Sequence, residues 1–101
     1  MIEITSKANI YYKDGELRRY WYINGELHRT GGLPAFENAD GSKEWWLNGK
    51  RHRDGGLPAV EFTNGSKYWY VNGEKHRSGG LPSIEDANGY KEWWENGIKI
   101  K

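Results

Sequence analysis

Trp21, Trp45, Trp69 and Trp93 stand 24 residues apart, and nearly everything between them keeps the same step. Asn24-Gly25 recurs at Asn48-Gly49, Asn72-Gly73 and Asn96-Gly97, and His28-Arg29 recurs at His52-Arg53 and His76-Arg77. Gly31-Gly32-Leu33-Pro34 returns at residues 55–58 and 79–82. Glu37, Glu61 and Glu85, then Gly41, Gly65 and Gly89, then Lys43, Lys67 and Lys91 complete the columns. A fixed period of this length means one supersecondary unit copied in tandem, each copy covering its apolar face with the next. The 101 residues then make one domain: a modified unit at 1–20, three 24-residue repeats at 21–92, and a capping half-unit at 93–101. Both ends depart from the pattern, as the ends of a stacked sheet must to close their edges. Asp14-Gly15 lies two residues further ahead of Trp21 than Asp40-Gly41 lies ahead of Trp45. Ile98-Lys99-Ile100-Lys101 replaces the His-Arg-Gly-Gly segment.

Within a unit the signals are those of strands. Six Trp and seven Tyr dominate the apolar set, and aromatic side chains fit a pleated surface. Short runs such as 59–63 and 67–71 end in Asn-Gly, the pair that supplies a tight hairpin turn. Pro34, Pro58 and Pro82 stand where a strand starts, a place that tolerates a missing donor. No window carries the period of a helix. The expectation is an all-β, single-layer antiparallel meander of tandem β-hairpin repeats. Without Cys, neither disulfides nor thiolate zinc sites hold it together, and no cofactor is implied. Residues 1–7 alternate polar and apolar side chains and do not read as a signal peptide. No apolar run is long enough to insert in a membrane. A cytoplasmic protein is the simplest expectation. A net charge of +1 argues against bulk attraction to nucleic acid or anionic lipid.

The stretch Trp46-Leu47-Asn48-Gly49-Lys50-Arg51-His52, then Gly55-Gly56, then Asn64-Gly65-Ser66-Lys67-Tyr68, resembles a MORN repeat. The resemblance covers residues 11–97. The chain departs from that pattern by an Arg after the His, where MORN units have Gly, and by Leu-Pro after the glycine pair. It is more similar to a variant with Asn-Gly-x-x-His-Arg-x-x-Gly-x-Pro-Ala units, found in proteins of phages, giant viruses and some bacteria. The resemblance implies an elongated twisted sheet of hairpins used for protein or lipid contact, and no catalysis.

Alternation in the strand through each Trp separates two faces. Trp21 with Ile23, Trp45 with Leu47, Trp69 with Val71, and Trp93 share one face, read as core. Tyr22, Trp46, Tyr70 and Trp94 share the other. Their rings either pack over the Gly-Gly-Leu-Pro bends or form an exposed stripe that grips a partner, and a ring can bury its body while offering its edge.

The three His cannot share a metal. Equivalent positions two strands apart lie about 10 Å from one another, against zinc–nitrogen bonds of about 2.1 Å. Arg29, Arg53 and Arg77 admit two readings. Beside glycine-rich bends and aromatic rings they suit an anion, such as a nucleotide or single-stranded nucleic acid. Alternatively they pair with Glu37, Glu61 and Glu85, each eight residues on, in a structural charge ladder. The Gly-Gly segments lack the Lys-Ser/Thr and following helix of a phosphate loop, so they read as bends. No Ser sits in a nucleophile elbow, and no spacing suggests paired carboxylates in a secluded pocket, so an enzyme is not expected.

Differences between the units mark candidate contacts. Trp46 stands where the sister units have Tyr22 and Tyr70, and Phe62 stands where they have Asn38 and Asp86. Lys50, Arg51 and Arg53 make the middle turn basic, and Arg18 and Arg19 precede the first Trp. These residues, with Tyr22, Tyr70 and Trp94, are the partner-binding candidates. The expected function is non-enzymatic binding. The phage-type resemblance implies an accessory protein acting in the host cytoplasm that inhibits a host protein, such as a defence nuclease. One alternative is a sponge for a nucleotide or other anionic small molecule. Another is a structural module that forms homo-oligomers through sheet edges at 1–4 and 98–100.

Overall fold

Four of the six Asn-Gly pairs make the tight two-residue turn expected of them. Asn24, Asn48, Asn72 and Asn96 have φ of 49–51°, and the glycines after them have φ of 74–82°. Two successive left-handed residues give the type I′ turn, whose twist matches that of the flanking strands. At Asn64-Gly65 and Asn88-Gly89 only the glycine is left-handed, with φ of 96° and 93°. Its N–H closes a longer turn on the carbonyl of Phe62 at 3.0 Å or Asp86 at 2.9 Å. The computed structural model describes residues 7–13, by their backbone, and residues 16–101. The expected Asp14-Gly15 turn and the proposed edge at 1–4 lie outside the described residues.

The first unit contributes β1 (Lys7–Lys13), β2 (Glu16–Ile23) and β3 (Glu26–Leu27). The second contributes β4 (Phe36–Glu37), β5 (Lys43–Glu44), β6 (Trp46–Leu47) and β7 (Lys50–Arg51). The third repeats this as β8 (Val60–Glu61), β9 (Lys67–Tyr68), β10 (Tyr70–Val71) and β11 (Glu74–Lys75). β12 (Ile84–Glu85), β13 (Lys91–Glu92), β14 (Trp94–Glu95) and β15 (Ile98–Lys99) follow. The order β1-β2-β4-β5-β8-β9-β12-β13, with β3 alongside β2, makes an open nine-stranded antiparallel sheet, and β6-β7, β10-β11 and β14-β15 form two-stranded ribbons. Among the described residues all regular structure is β.

The strand through each Trp differs from the expectation. β2 runs unbroken through Trp21, but at Trp45, Trp69 and Trp93 the chain leaves the large sheet for a ribbon. Trp21 divides its backbone bonds between Ala35 at 2.9 Å and His28 at 3.0 Å, but β1 pairs along β2 with Ala8 opposite Trp21 and carries the strand across. The later Trp residues show the same division without that pairing. The Trp45 N–H donates to the Ala59 carbonyl of the next unit at 2.8 Å, while its own carbonyl accepts from His52 of its ribbon at 3.0 Å. Trp69 repeats this with Ser83 at 2.8 Å and His76 at 3.1 Å. At the last Trp the tail supplies both partners: Trp93 donates to the Lys101 carbonyl at 3.1 Å and accepts from Ile100 at 2.7 Å. Ile98 through Lys101 thus cap the repeat by filling its bonds.

Successive ribbons hold one another through their turns. Gly49 donates to the Leu27 carbonyl at 2.9 Å, Gly73 to Arg51 at 2.8 Å, and Gly97 to Lys75 at 3.0 Å. Beside each bond a histidine ring braces the turn. The Asn48, Asn72 and Asn96 N–H groups donate to Nδ1 of His28, His52 and His76 at 2.8, 3.0 and 3.0 Å. Because a backbone N–H can only donate, Nδ1 must carry a lone pair and the neutral ring keeps its proton on Nε2. His52 Nε2 then donates to Asp54 Oδ1 at 2.7 Å.

Two rows across the large sheet specify its register. Arg19, Glu37, Lys43, Glu61, Lys67, Glu85 and Lys91 are successive cross-strand neighbours of alternating sign. Tyr20, Phe36, Glu44, Val60, Tyr68, Ile84 and Glu92 form the adjacent row, largely apolar. A slip of one residue would set the apolar row against the charged one. Each opposite-charge pair contributes about 0.2–1 kcal/mol. The core is small: Ala35, Ala59 and Ser83 have no exposed surface, and Trp45, Trp69, Val60 and Ile84 are buried beside them. The face read from sequence as core holds at Trp45 and Trp69 but opens two residues later, where Val71 is 37% exposed. The ribbon has left the large sheet by then, and no strand covers it on that side.

Gly73 has φ of +82°, and a Cβ there would stand 3.5 Å from the Lys50 Cβ, ordinary contact. Gly73→Ala is therefore expected to cost the strain of a left-handed L residue alone, about 1–2 kcal/mol, read as a lowered urea midpoint. Ser66→Ala removes the hydroxyl that accepts the Ala87 N–H at 2.9 Å and should cost about 1 kcal/mol.

Candidate functional site

The His-Arg pair follows each ribbon, and its Arg turns back over the Trp of the same unit. The Arg29, Arg53 and Arg77 guanidinium carbons lie 3.8, 3.7 and 3.8 Å from the ring centroids of Trp21, Trp45 and Trp69. Their Nη1 atoms donate to the carbonyls of Pro34, Pro58 and Pro82, each at 3.1 Å. Arg53 also pairs with Glu61 at 3.2 Å and Arg77 with Glu85 at 3.0 Å. Stacking on an indole contributes about 0.5–2 kcal/mol depending on desolvation. The three Arg of the anion reading are thus engaged in clamping the bend to the Trp, with planar faces on the rings and a fork nitrogen on the backbone.

The indole N–H of each Trp reaches the other way. Trp45, Trp69 and Trp93 Nε1 donate to the carbonyls of Gly32, Gly56 and Gly80 in the preceding bends at 2.9, 3.0 and 3.2 Å. With each bend pinned to the next Trp, the leucine in it is pushed outward. Leu33, Leu57 and Leu81 are 48%, 49% and 49% exposed.

Between successive bends lies a row of equivalent grooves. The first, about 300 Å³, is lined by Leu33, Leu57, Trp45, Leu47, Arg29 and Arg53 among others. The second, about 380 Å³, is lined by Leu57, Leu81, Trp69, Val71, Arg53 and Arg77 among others. A smaller third, about 140 Å³, lies between Leu81 and Ile100 over Trp93. Leu57 and Arg53 serve the first two, and Leu81 and Arg77 the last two. Asp54 also lines both of the larger grooves.

Of the aromatic candidates, Trp46, Tyr70 and Trp94 each line one groove of this row and also touch cations along the ribbons. Arg51 lies 5.0 Å from the Trp46 ring and 5.5 Å from the Tyr70 ring, bridging two units, and Lys75 Nζ lies 4.5 Å from the Trp94 ring. Tyr20 stacks on Tyr22 with centroids 6.2 Å apart. Tyr22, Trp46, Tyr70 and Trp94 are all half-buried, so each ring packs its body and leaves part of its surface to solvent. Their polar edges are engaged: Trp46 Nε1 donates to Glu44 at 2.9 Å and Trp94 Nε1 to Glu92 at 2.8 Å.

The basic middle turn does not form one patch. Arg51 lies among the ribbon aromatics and bonds Glu44 at 3.3 Å, whereas Arg53 stacks on Trp45 in the leucine grooves. The exposed Lys50 runs beside the Gly73 turn. Strand β7 ends at Arg51, and Arg53 beyond it lies over Trp45, which separates charges close in sequence. Phe62 packs edge-on against Tyr68 at 5.3 Å, 39% exposed. Arg18 is half-buried, while Arg19 is exposed and faces Glu37 in the charge row. Gly-Gly-Leu-Pro reads from sequence as a bend, which by itself does not say where its leucine lies. The available signal was a large apolar residue repeated in a segment with no strand to bury it.

Around Glu92 the last unit builds a tight acceptor site. Tyr90 donates to Oε2 at 2.6 Å, and Lys99 Nζ lies 3.4 Å from the same oxygen. The hydroxyl of Tyr90, the indole of Trp94 and then the Lys99 charge hold this carboxyl down at about 2, against an ordinary 4.5. Tyr68 shows the reverse: burial, then its hydrogen bond to Asp86, push its hydroxyl above the usual 10.0.

Because the folded state holds Glu92 ionised more firmly than the unfolded chain, its contribution is complete above pH 4.5 and is lost as pH falls toward about 2. Thermal midpoints should drop through that window. Glu92→Gln should lower the midpoint at neutral pH and make the acid decline shallower. An unchanged acid profile would remove Glu92 from the account.

No family model, no curated protein and no solved structure matches the chain.

Proposed function

We propose that the chain is a non-enzymatic binding module that holds a protein partner along its row of leucine-rimmed grooves. The observation that carries this reading is the exposure of Leu33, Leu57 and Leu81, about half of each side chain, at the same place in three units. The fold's own contacts at the bend are made by the Gly carbonyls, the Pro carbonyls and the Arg, and none requires a leucine. Repeated exposed apolar groups flanked by polar walls are the usual mark of an interaction surface. The MORN-like pattern of the units supports the same class of function. In its phage-type setting the partner would be a host protein whose action is blocked by occupation of its surface.

The engaged state of Arg29, Arg53 and Arg77 favours a protein over an anionic small molecule, since an anion would have to displace stacking and carbonyl bonds already made. The half-buried ribbon aromatics supply the rigid wall behind the grooves.

The test is capture by the tagged full chain from host lysate, with protein mass spectrometry and analysis of heat-released small molecules on the same eluate. A stoichiometric protein is expected. Leu57→Ser should weaken its binding at least about tenfold with an unchanged far-ultraviolet circular dichroism spectrum. Phe62→Asn, which installs the residue of the sister position 38 and lies outside the grooves, should leave binding intact. Loss through Phe62→Asn and not Leu57→Ser would move the site to the large sheet. A released nucleotide without protein would overturn the reading.

A further inference from the structure

The spacing of the grooves restricts what can lie in them. Each unit adds two strands to the large sheet, so neighbouring grooves repeat about every 9.4–9.8 Å. A polyproline II segment rises about 3.1 Å per residue with three residues per turn, returning a side chain to the same side after about 9.3 Å. A β-strand does so after about 6.7 Å, which sets alternate side chains on the leucine rims instead of between them. An α-helix needs seven residues and about 10.5 Å, and it interposes a turn of side chains between the grooves. Only the three-residue period matches both the step and the facing.

The polar groups of the row point the same way. The Trp45 and Trp69 indole N–H groups and the Arg53 and Arg77 Nη1 atoms already bond Gly and Pro carbonyls of the bends. A ligand in these grooves therefore keeps its backbone groups in water, as polyproline II does, and gains affinity from apolar contact with aromatic and aliphatic walls. Charge sets its polarity. Arg53 and Arg77 are answered by Glu61 and Glu85, whereas Asp54 accepts one bond from the neutral His52 ring and keeps its side chain 86% exposed beside both larger grooves. The same column holds Thr30 and Ser78 in the other units. One acid at one junction complements one cation and fixes where along the row the ligand sits.

We propose that the groove row binds a polyproline II segment carrying an apolar residue, proline or leucine, at every third position, with one Lys or Arg that meets Asp54. This rests on the protein-binding reading above and names the chemistry of the partner.

The test is selection of a random dodecapeptide display library on the immobilised full chain, repeated independently on the Leu57→Ser and Asp54→Lys variants. The expected result is enrichment of apolar residues, chiefly proline and leucine, at a spacing of three. A basic residue should be enriched at a constant offset, and that enrichment should vanish on Asp54→Lys while the apolar spacing persists. A synthetic peptide of the enriched sequence should lose affinity about tenfold on Leu57→Ser. Leucine-dependent peptides with a spacing of two or seven would overturn the polyproline II assignment and leave the groove-binding reading standing. Binders indifferent to Leu57→Ser would overturn both. A basic residue that survives Asp54→Lys would overturn the role of Asp54.

Discussion

The structure depends on one residue used in three directions. Trp45 gives its backbone N–H to Ala59 in the next unit, its carbonyl to His52 in its own ribbon, and its indole N–H to Gly32 in the bend behind it. Arg53 lies across its ring and is itself tied to Pro58 and Glu61. A 24-residue unit has too little apolar surface to form an independent core, and the few side chains without exposure, Ala35, Ala59 and Ser83, are small. Cohesion comes instead from nodes in which a Trp, an Arg and two backbones meet, repeated along the sheet. A solenoid of this kind is stable as a chain of neighbour contacts.

The nodes also explain the surface. Each bend is pinned from both sides, and its leucine stands half exposed at the rim of a groove walled by Trp and aliphatic side chains. The same repetition makes the grooves equivalent, and Asp54 distinguishes one junction from the others. Scaffold and candidate site are consequences of one arrangement: the Arg and Trp side chains are structural, and the spaces between them are open to a ligand. The ends obey the same logic. Lys101 stands in the Arg column with its Nζ 5.6 Å from the Trp93 ring. Tyr90 occupies the place of Ser42 and Ser66, whose hydroxyls accept a bond from the following unit.

Much of this was legible in the residues. The tight turns at Asn24, Asn48, Asn72 and Asn96, the antiparallel order and the pairing of Arg53 with Glu61 and Arg77 with Glu85 follow from local chemistry at a fixed step. The same dipeptide at Asn64-Gly65 and Asn88-Gly89 takes a longer turn. The bracing by His28, His52 and His76 was not legible, because each acts on a turn 20 residues on. The break at Trp45 was hidden for a related reason: Glu44, Trp45, Trp46 and Leu47 alternate as a single strand would. Trp21 bonds to Ala35 and His28 as Trp45 does to Ala59 and His52, and what keeps β2 whole is the long β1 paired along it, a neighbour outside the repeat pattern.

The sequence by itself determined the period, the turn chemistry, the strand character and the alternating charges, since each is a property of residues near one another along the chain. The tertiary structure alone decided which repeated side chains are buried. Trp45 and Leu57 recur equally faithfully, yet one is enclosed and the other half exposed. That difference arises because an indole has a donor that the preceding bend can accept and a flat face that an arginine can cover. A leucine has neither, and Leu57 is left half exposed on the rim of the grooves.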